Sequence, residues 1–190
     1  MLTALIAAEE DGDRLTEDEL IAQIQLLFVA GHETTVNMIG GSVLELLRNP
    51  DQLALLRQRP ELMDNALEEL LRYVSPVQQS RRFTIGPYQV GETVIPPGTL
   101  VVPIIASANR DERFWGPDAG TLRLDRANAR ENVSFGGGAH YCIGASLARL
   151  ESQIAIGNLV QRFDALALAG DVEWNGRFNL RGPAHVPVSV

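Results

Sequence analysis

The chain has one cysteine, Cys142, in the run Phe135-Gly136-Gly137-Gly138-Ala139-His140-Tyr141-Cys142-Ile143-Gly144. Glycines at 136, 137, 138 and 144 let the backbone pass close to a flat, bulky partner and turn through positive φ, which a Cβ resists. Helical periodicity resumes at Cys142 and runs to Phe163, so the sulfur is expected in the first turn of a helix. There, unpaired N–H groups and the positive dipole end favour thiolate over thiol. A thiolate so placed is a metal ligand, and cysteine thiolate is one of the few axial ligands proteins offer haem iron. A merely buried cysteine would not account for the glycines. A Cys-His nucleophile fits poorly, because His140 stands only two residues away.

Other residues could serve such a centre. Thr34 and Thr35 follow Gly31-His32-Glu33 in the middle of a long apolar helix, where threonine is a poor helix former. A hydroxyl at 34 can bond back to the carbonyl of Ala30, bending the helix and opening room for a small ligand. Glu69 and Arg72 lie three apart on one helical face and can pair; Glu68, four before Arg72, can pair with it too. Arg81 and Arg82 open an extended segment, and guanidinium grips carboxylates bidentately. The glycine run lacks the Lys-Ser/Thr ending of a phosphate loop, and Val36 stands where a zincin needs its second histidine.

The loop Phe135 to Gly144 resembles the cysteine loop of the cytochrome P450 family, soluble bacterial class, which reads Phe-Gly-x-Gly-x-His-x-Cys-x-Gly. Ala30-Gly31-His32-Glu33-Thr34-Thr35 resembles that family's oxygen-activation segment, Glu69-Leu70-Leu71-Arg72 its Glu-x-x-Arg motif, and Ala108-Asn109-Arg110-Asp111 with Phe114 the run into its meander. The resemblance implies a mainly α fold with small β-sheets (α+β), carrying a long central helix, a Glu-x-x-Arg helix, a meander and a cysteine-ligand loop. It implies haem b with Cys142 as the iron ligand. His140 and Arg82, with Arg81 a rival for the latter, would hold the haem propionates. Phe135 and Gly136 would shape the ligand loop, and Gly144 would admit the porphyrin. Thr34 would relay protons toward bound dioxygen, with Glu33 the acid that feeds it. Glu69, chosen over Glu68 by the family pattern, and Arg72 would hold loop and meander in place.

Family members are roughly twice this long. Residues 1–190 are therefore expected to be the carboxyl-terminal part of a single P450 domain, with the amino-terminal half absent. The function implied is that of a monooxygenase oxidising a small organic substrate with electrons from a ferredoxin or flavodoxin-type donor, impaired or inactive in this short form. The alternative is a truncated haem-binding module or a nonfunctional fragment. Val77 to Arg81 and Phe178 to Leu180 are the segments expected to face substrate.

Several elements must position these groups. Thr16-Glu17-Asp18-Glu19 is a capping box opening a helix that Asn49-Pro50 stops after Arg48, about 48 Å long. Its centre, Leu26 to Ala30, is apolar on every face and calls for burial all round, of which these 190 residues are expected to supply one side only if the family architecture holds. Residues 2 to 10 read as the tail of a helix. Pro50 and Pro60 predict short helices over 50–58 and 60–74. Strand character follows in Arg82 to Ile85, Tyr88 to Val90 and Thr93 to Ile95. No period persists from Arg110 to Ser134; a stretch of that length inside a compact domain is functional or disordered, and the resemblance to the family's meander fits the first case.

Positive residues number 16, all arginine, against 24 acids, giving a net charge of −8. That balance argues against nucleic-acid binding, which needs a basic face. Residues 110–149 are the local exception, with six arginines against five acids, a relief suited to an acidic electron donor. A lone cysteine excludes an intrachain disulfide. No apolar run approaches the roughly 20 residues that span a bilayer, so the reading is cytoplasmic, with no membrane partner.

Overall fold

Thr16 and Glu19 cap each other reciprocally: Glu19 N donates to Thr16 Oγ1 at 3.3 Å and Thr16 N to Glu19 Oε2 at 2.9 Å. From that cap the central helix α2 runs Glu17–Arg48, with Asn49 ending it as expected. The computed structural model describes residues 2–10 and 12–190. Ahead of α2, helix α1 covers Leu2–Ala7, and strand β1, Glu9–Glu10, pairs with β2, Asp13–Arg14, so the helix expected over 2–10 stops at Ala7.

Pro50 and Pro60 each start an element: α3, Pro50–Gln58, and a 3₁₀ turn, Pro60–Leu62, that leads into α4, Met63–Val74. Helix α4 ends at Ser75, whose backbone is left-handed (φ 43°). Its amide donates to Leu71 O at 3.0 Å and its hydroxyl to Arg72 O at 2.9 Å. This reversal sends the chain from helix into the sheet region.

Strand β3, Arg82–Phe83, pairs antiparallel with β6, Leu100–Val101; between them β4, Tyr88–Val90, and β5, Thr93–Ile95, form a hairpin. A single-turn helix, α5, Ile105–Ala108, precedes the aperiodic stretch, which contains a second, α6, Glu112–Trp115, and then irregular backbone. Helix α7 occupies Ala145–Arg162 and packs on α2, α3 and α4. Two small ladders close the chain: β7, Ala167–Leu168, with β10, Val188–Ser189, and β8, Glu173–Trp174, with β9, Pro183–His185.

The core gathers Leu46 of α2, Leu53 and Leu56 of α3, Leu67 and Leu70 of α4, Leu122 and Leu124 of the irregular stretch, and Ile156 and Val160 of α7. It buries only the carboxyl-terminal part of α2. Leu26, Phe28 and Val29 are 59%, 72% and 58% exposed, in line with the expectation that these residues do not cover the Leu26 to Ala30 segment on both sides. Leu27, in the same segment, is partly buried. Leu147, Leu150 and Ile154 leave an apolar stripe of α7 similarly open. No helix among the described residues is long and apolar enough to cross a membrane.

Candidate functional site

The cysteine loop turns through Gly136 and Gly138, whose φ values of +74° and +66° suit glycine. It is closed by Cys142 N donating to Phe135 O at 3.0 Å. Helix α7 begins at Ala145, three residues later than the periodicity predicts, because Gly138 to His140 form a 3₁₀ turn and Gly144 becomes the N-cap. Cys142 thus precedes the helix, its carbonyl accepting from Ala145 N at 3.2 Å. The sulfur belongs to an exposed residue, and a Cβ on Gly144 would touch it at 3.9 Å.

Behind the loop lies a polar scaffold. Arg149 of α7 donates to Glu68 at 2.7 Å and 3.3 Å and to Tyr141 Oη at 3.2 Å, while its guanidinium lies 4.5 Å over the Phe135 ring. Phe135 is partly buried against the core. Ser134 donates to Leu71 O at 2.8 Å and accepts from Asn109 at 2.9 Å, and Asn109 also accepts from Val133 N at 2.9 Å. Asn109 and Arg149 thereby hold the loop from its two ends.

The Glu69–Arg72 pair forms as predicted, at 2.7 Å and 2.8 Å, with both side chains fully buried. Glu68 does not compete for Arg72; it faces Arg149 instead. Arg72 spends its remaining donors on the carbonyls of Asn109, Ala119 and Thr121, at 2.7 Å, 2.8 Å and 3.1 Å. Arg126 completes the cluster, bonding Glu69 at 3.1 Å and 3.2 Å, Asp118 at 3.1 Å and the carbonyls of Trp115, Asp118 and Thr121. The irregular stretch is therefore wound around two buried guanidinium groups. Sequence reasoning missed Arg126: it lies in a stretch without periodicity, and its alternation with buried Leu122 and Leu124 is the one signal that marks it as inward-facing.

On α2, the Thr34 hydroxyl donates to Ala30 O at 2.6 Å, the back-bond expected from its type and place. Glu33 forms an ion pair with Arg177. Arg82 is exposed; its Nη1 donates to Ser80 Oγ and Arg81 O, each at 2.7 Å. His140 is exposed. Among the described residues no hydrogen bond or ion pair joins Cys142, Thr34, Arg82 and His140 to one another, so protein contacts do not gather them into a single cluster.

These residues fit a haem. Among the described residues no group of three or more His, Cys, Asp or Glu side chains is placed to hold a metal ion. A macrocycle with its own metal ligands and carboxylate arms would meet an exposed cysteine, the glycine turns and the exposed Arg82 and His140.

The chain is similar to known proteins. The family model "Cytochrome P450" matches residues 1–59 and 55–175. Cytochrome P450 107B1 of Saccharopolyspora erythraea is 51% identical over 193 residues, covering 99% of this chain and 47% of that protein. Cytochrome P450 monooxygenase PikC of Streptomyces venezuelae is 44% identical, with 99% and 46% covered. The crystal structure of the LnmA cytochrome P450 hydroxylase of Streptomyces atroolivaceus superposes with a TM-score of 0.91 at 42% identity, over all of this chain and 50% of its own. The chain spans about half the length of the relatives it matches.

Proposed function

This chain belongs to the cytochrome P450 family, and on that footing we propose that it supplies the thiolate ligand, the propionate partners and the proton-delivering pair of a haem-thiolate monooxygenase acting on a small organic substrate. The presentation of Cys142 carries the proposal: an exposed cysteine on a loop turned by Gly136 and Gly138, closed on Phe135 O and braced by Arg149. When bound, a thiolate-ligated haem supplies the electron donation that favours O–O bond cleavage.

The chain's own residues do the rest. Cys142 would hold the iron, Gly136 turns the ligand loop at φ +74°, and Gly144 places no Cβ beside the sulfur. Arg82 and His140 present donors to propionates, Arg82 with the planar fork suited to carboxylate. The Thr34 hydroxyl passes a proton toward the distal side, and Glu33 replenishes it. Glu69, Arg72 and Arg126 set the shape of the stretch that leads into the cysteine loop. Val77 to Arg81 and Phe178 to Leu180 face the substrate, and the arginine-rich region 110–149 receives an acidic ferredoxin or flavodoxin-type donor.

A second reading, haem binding without coupled turnover by these 190 residues alone, is favoured by the open face of α2 at Leu26, Phe28 and Val29. An uncovered distal side admits water and leaks protons.

The ferrous carbonyl spectrum tests the thiolate. The chain is loaded with haem, alone and complemented with the amino-terminal half of a homologous family member. A red-shifted Soret band of the thiolate type is expected, and Cys142→Ala is expected to abolish it. Survival of that band in Cys142→Ala overturns the assignment. Substrate oxidation coupled to electron consumption by the chain alone would overturn the second reading.

A further inference from the structure

Glu33 on the central helix and Arg177 in the closing hairpin, 144 positions apart, are ion-paired. The hairpin tip that presents Arg177 is built locally. Asn175 Oδ1 accepts from Arg177 N at 3.1 Å, Asn175 Nδ2 donates to Leu180 O at 2.8 Å, Asn175 N donates to Gly182 O at 3.1 Å, and Gly176 turns at φ +65°. One amide side chain thus ties both arms of the tip.

The tip is seated on one stripe of α2. Glu33, Asn37 and Gly40, spaced four and three, share a helical face. A Cβ at Gly182 would collide with Asn37 Oδ1, and one at Gly40 would meet Pro183 Cγ at 3.2 Å. The same hairpin is joined to the segment after α4: Leu180 bridges Val77, Gln78 N donates to Asn179 O at 3.0 Å, and Arg181 N to Pro76 O at 2.9 Å. Both segments assigned to the substrate, 77–81 and 178–180, are therefore tied by backbone contacts to the tip that carries Arg177.

We infer that Arg177 is a positioning residue that latches the Glu33 carboxylate to the substrate-facing hairpin, so that release of Glu33 for proton delivery depends on the hairpin's position. The inference rests on the assignment of Glu33 as the feeding acid. Both relay groups are engaged in this arrangement, Glu33 with Arg177 and Thr34 with Ala30 O. A carboxylate oxygen held by a guanidinium must let go before it takes or gives a proton elsewhere. Displacement of the hairpin breaks the ion pair and frees that oxygen.

Amide hydrogen exchange of Arg177 to Leu180 in the 190-residue chain tests the latch without haem. Arg177→Gln and Glu33→Gln are each expected to speed exchange at the tip about two- to fivefold, the range for a partly exposed ion pair. The double variant should gain no more than either single. Arg177→Lys, and the exchanged pair Glu33→Arg with Arg177→Glu, should restore protection. Absent or additive effects overturn the latch. In the haem-loaded protein, Arg177→Gln is expected to change peroxide formed per electron with the Soret band unchanged, whereas an unaltered yield overturns the positioning role. The exchange arm needs no relay, so failure of the Glu33 assignment itself would appear separately, as full coupling in Glu33→Gln.

Discussion

The Thr34 hydroxyl donates to the Ala30 carbonyl at 2.6 Å, so the side chain proposed to move protons is held by its own helix. Such a back-bond bends a helix slightly and stabilises it little. Thr34→Ala is therefore expected to change stability by no more than about 0.5 kcal/mol and to keep the haem spectrum. Its effect should appear in coupling, as electrons diverted from product to peroxide or water. Product yield per electron consumed, measured against the parent, checks this.

Glu69 accepts from Arg72, Arg126 and the amide of Arg123 while fully buried. Removing it strands two guanidinium groups in the core. Glu69→Ala is expected to lose about 3–5 kcal/mol, read from the urea midpoint, and to lower haem retention because the stretch leading to the cysteine loop unwinds. Arg126→Ala should produce a comparable loss by leaving Glu69 and the carbonyls of Trp115 and Thr121 short of donors.

Asp118 accepts from Arg123 at 2.9 Å and from Arg126 at 3.1 Å, and these hydrogen bonds, Arg123's first, hold its carboxyl down at about 2 against an ordinary 3.8. A lowered folded-state pKa contributes stability that is present above the unfolded value and is lost as pH falls through the folded one. Stability should therefore drop between about pH 4 and pH 2. Asp118→Asn should flatten that part of the profile, and the two proteins should converge below it. Urea midpoints across the acid range provide the comparison.

Gly41 lets α4 approach α2: a Cβ there would lie 2.6 Å from Val74 Cγ1. Alanine is the better helix former by about 1 kcal/mol, yet a branched neighbour cannot swing away. Gly41→Ala is expected to destabilise by about 1–3 kcal/mol, as overpacking does. The same change in a Val74→Ala background should cost much less, and denaturation of the four proteins of that cycle measures the difference.

The limits of α2 were legible in the sequence because they are local. Thr16 and Glu19 satisfy each other's backbone within one turn, and Asn49-Pro50 ends the ladder with no help from the rest of the chain. The cysteine loop was legible for a similar reason, since glycine at positive φ is a property of the residue itself, and the Thr34 back-bond spans a single turn. The start of α7 was not, because the choice between a 3₁₀ turn and a full helical turn at Gly138 to Gly144 follows from the closure of Cys142 N onto Phe135 O. Spacing left both Glu68 and Glu69 able to reach Arg72. Successive helical residues point about 100° apart, and the packing of α4 turns Glu69 to Arg72 and Arg126 and Glu68, also buried, to Arg149, 81 positions along. The cover of Leu26 to Val29 is likewise a matter of tertiary packing. An all-round apolar segment states what burial it needs, but the neighbours that provide it come from elsewhere in space. Arg177 and Glu33, far apart in the chain, meet only because the terminal hairpin folds back onto the central helix.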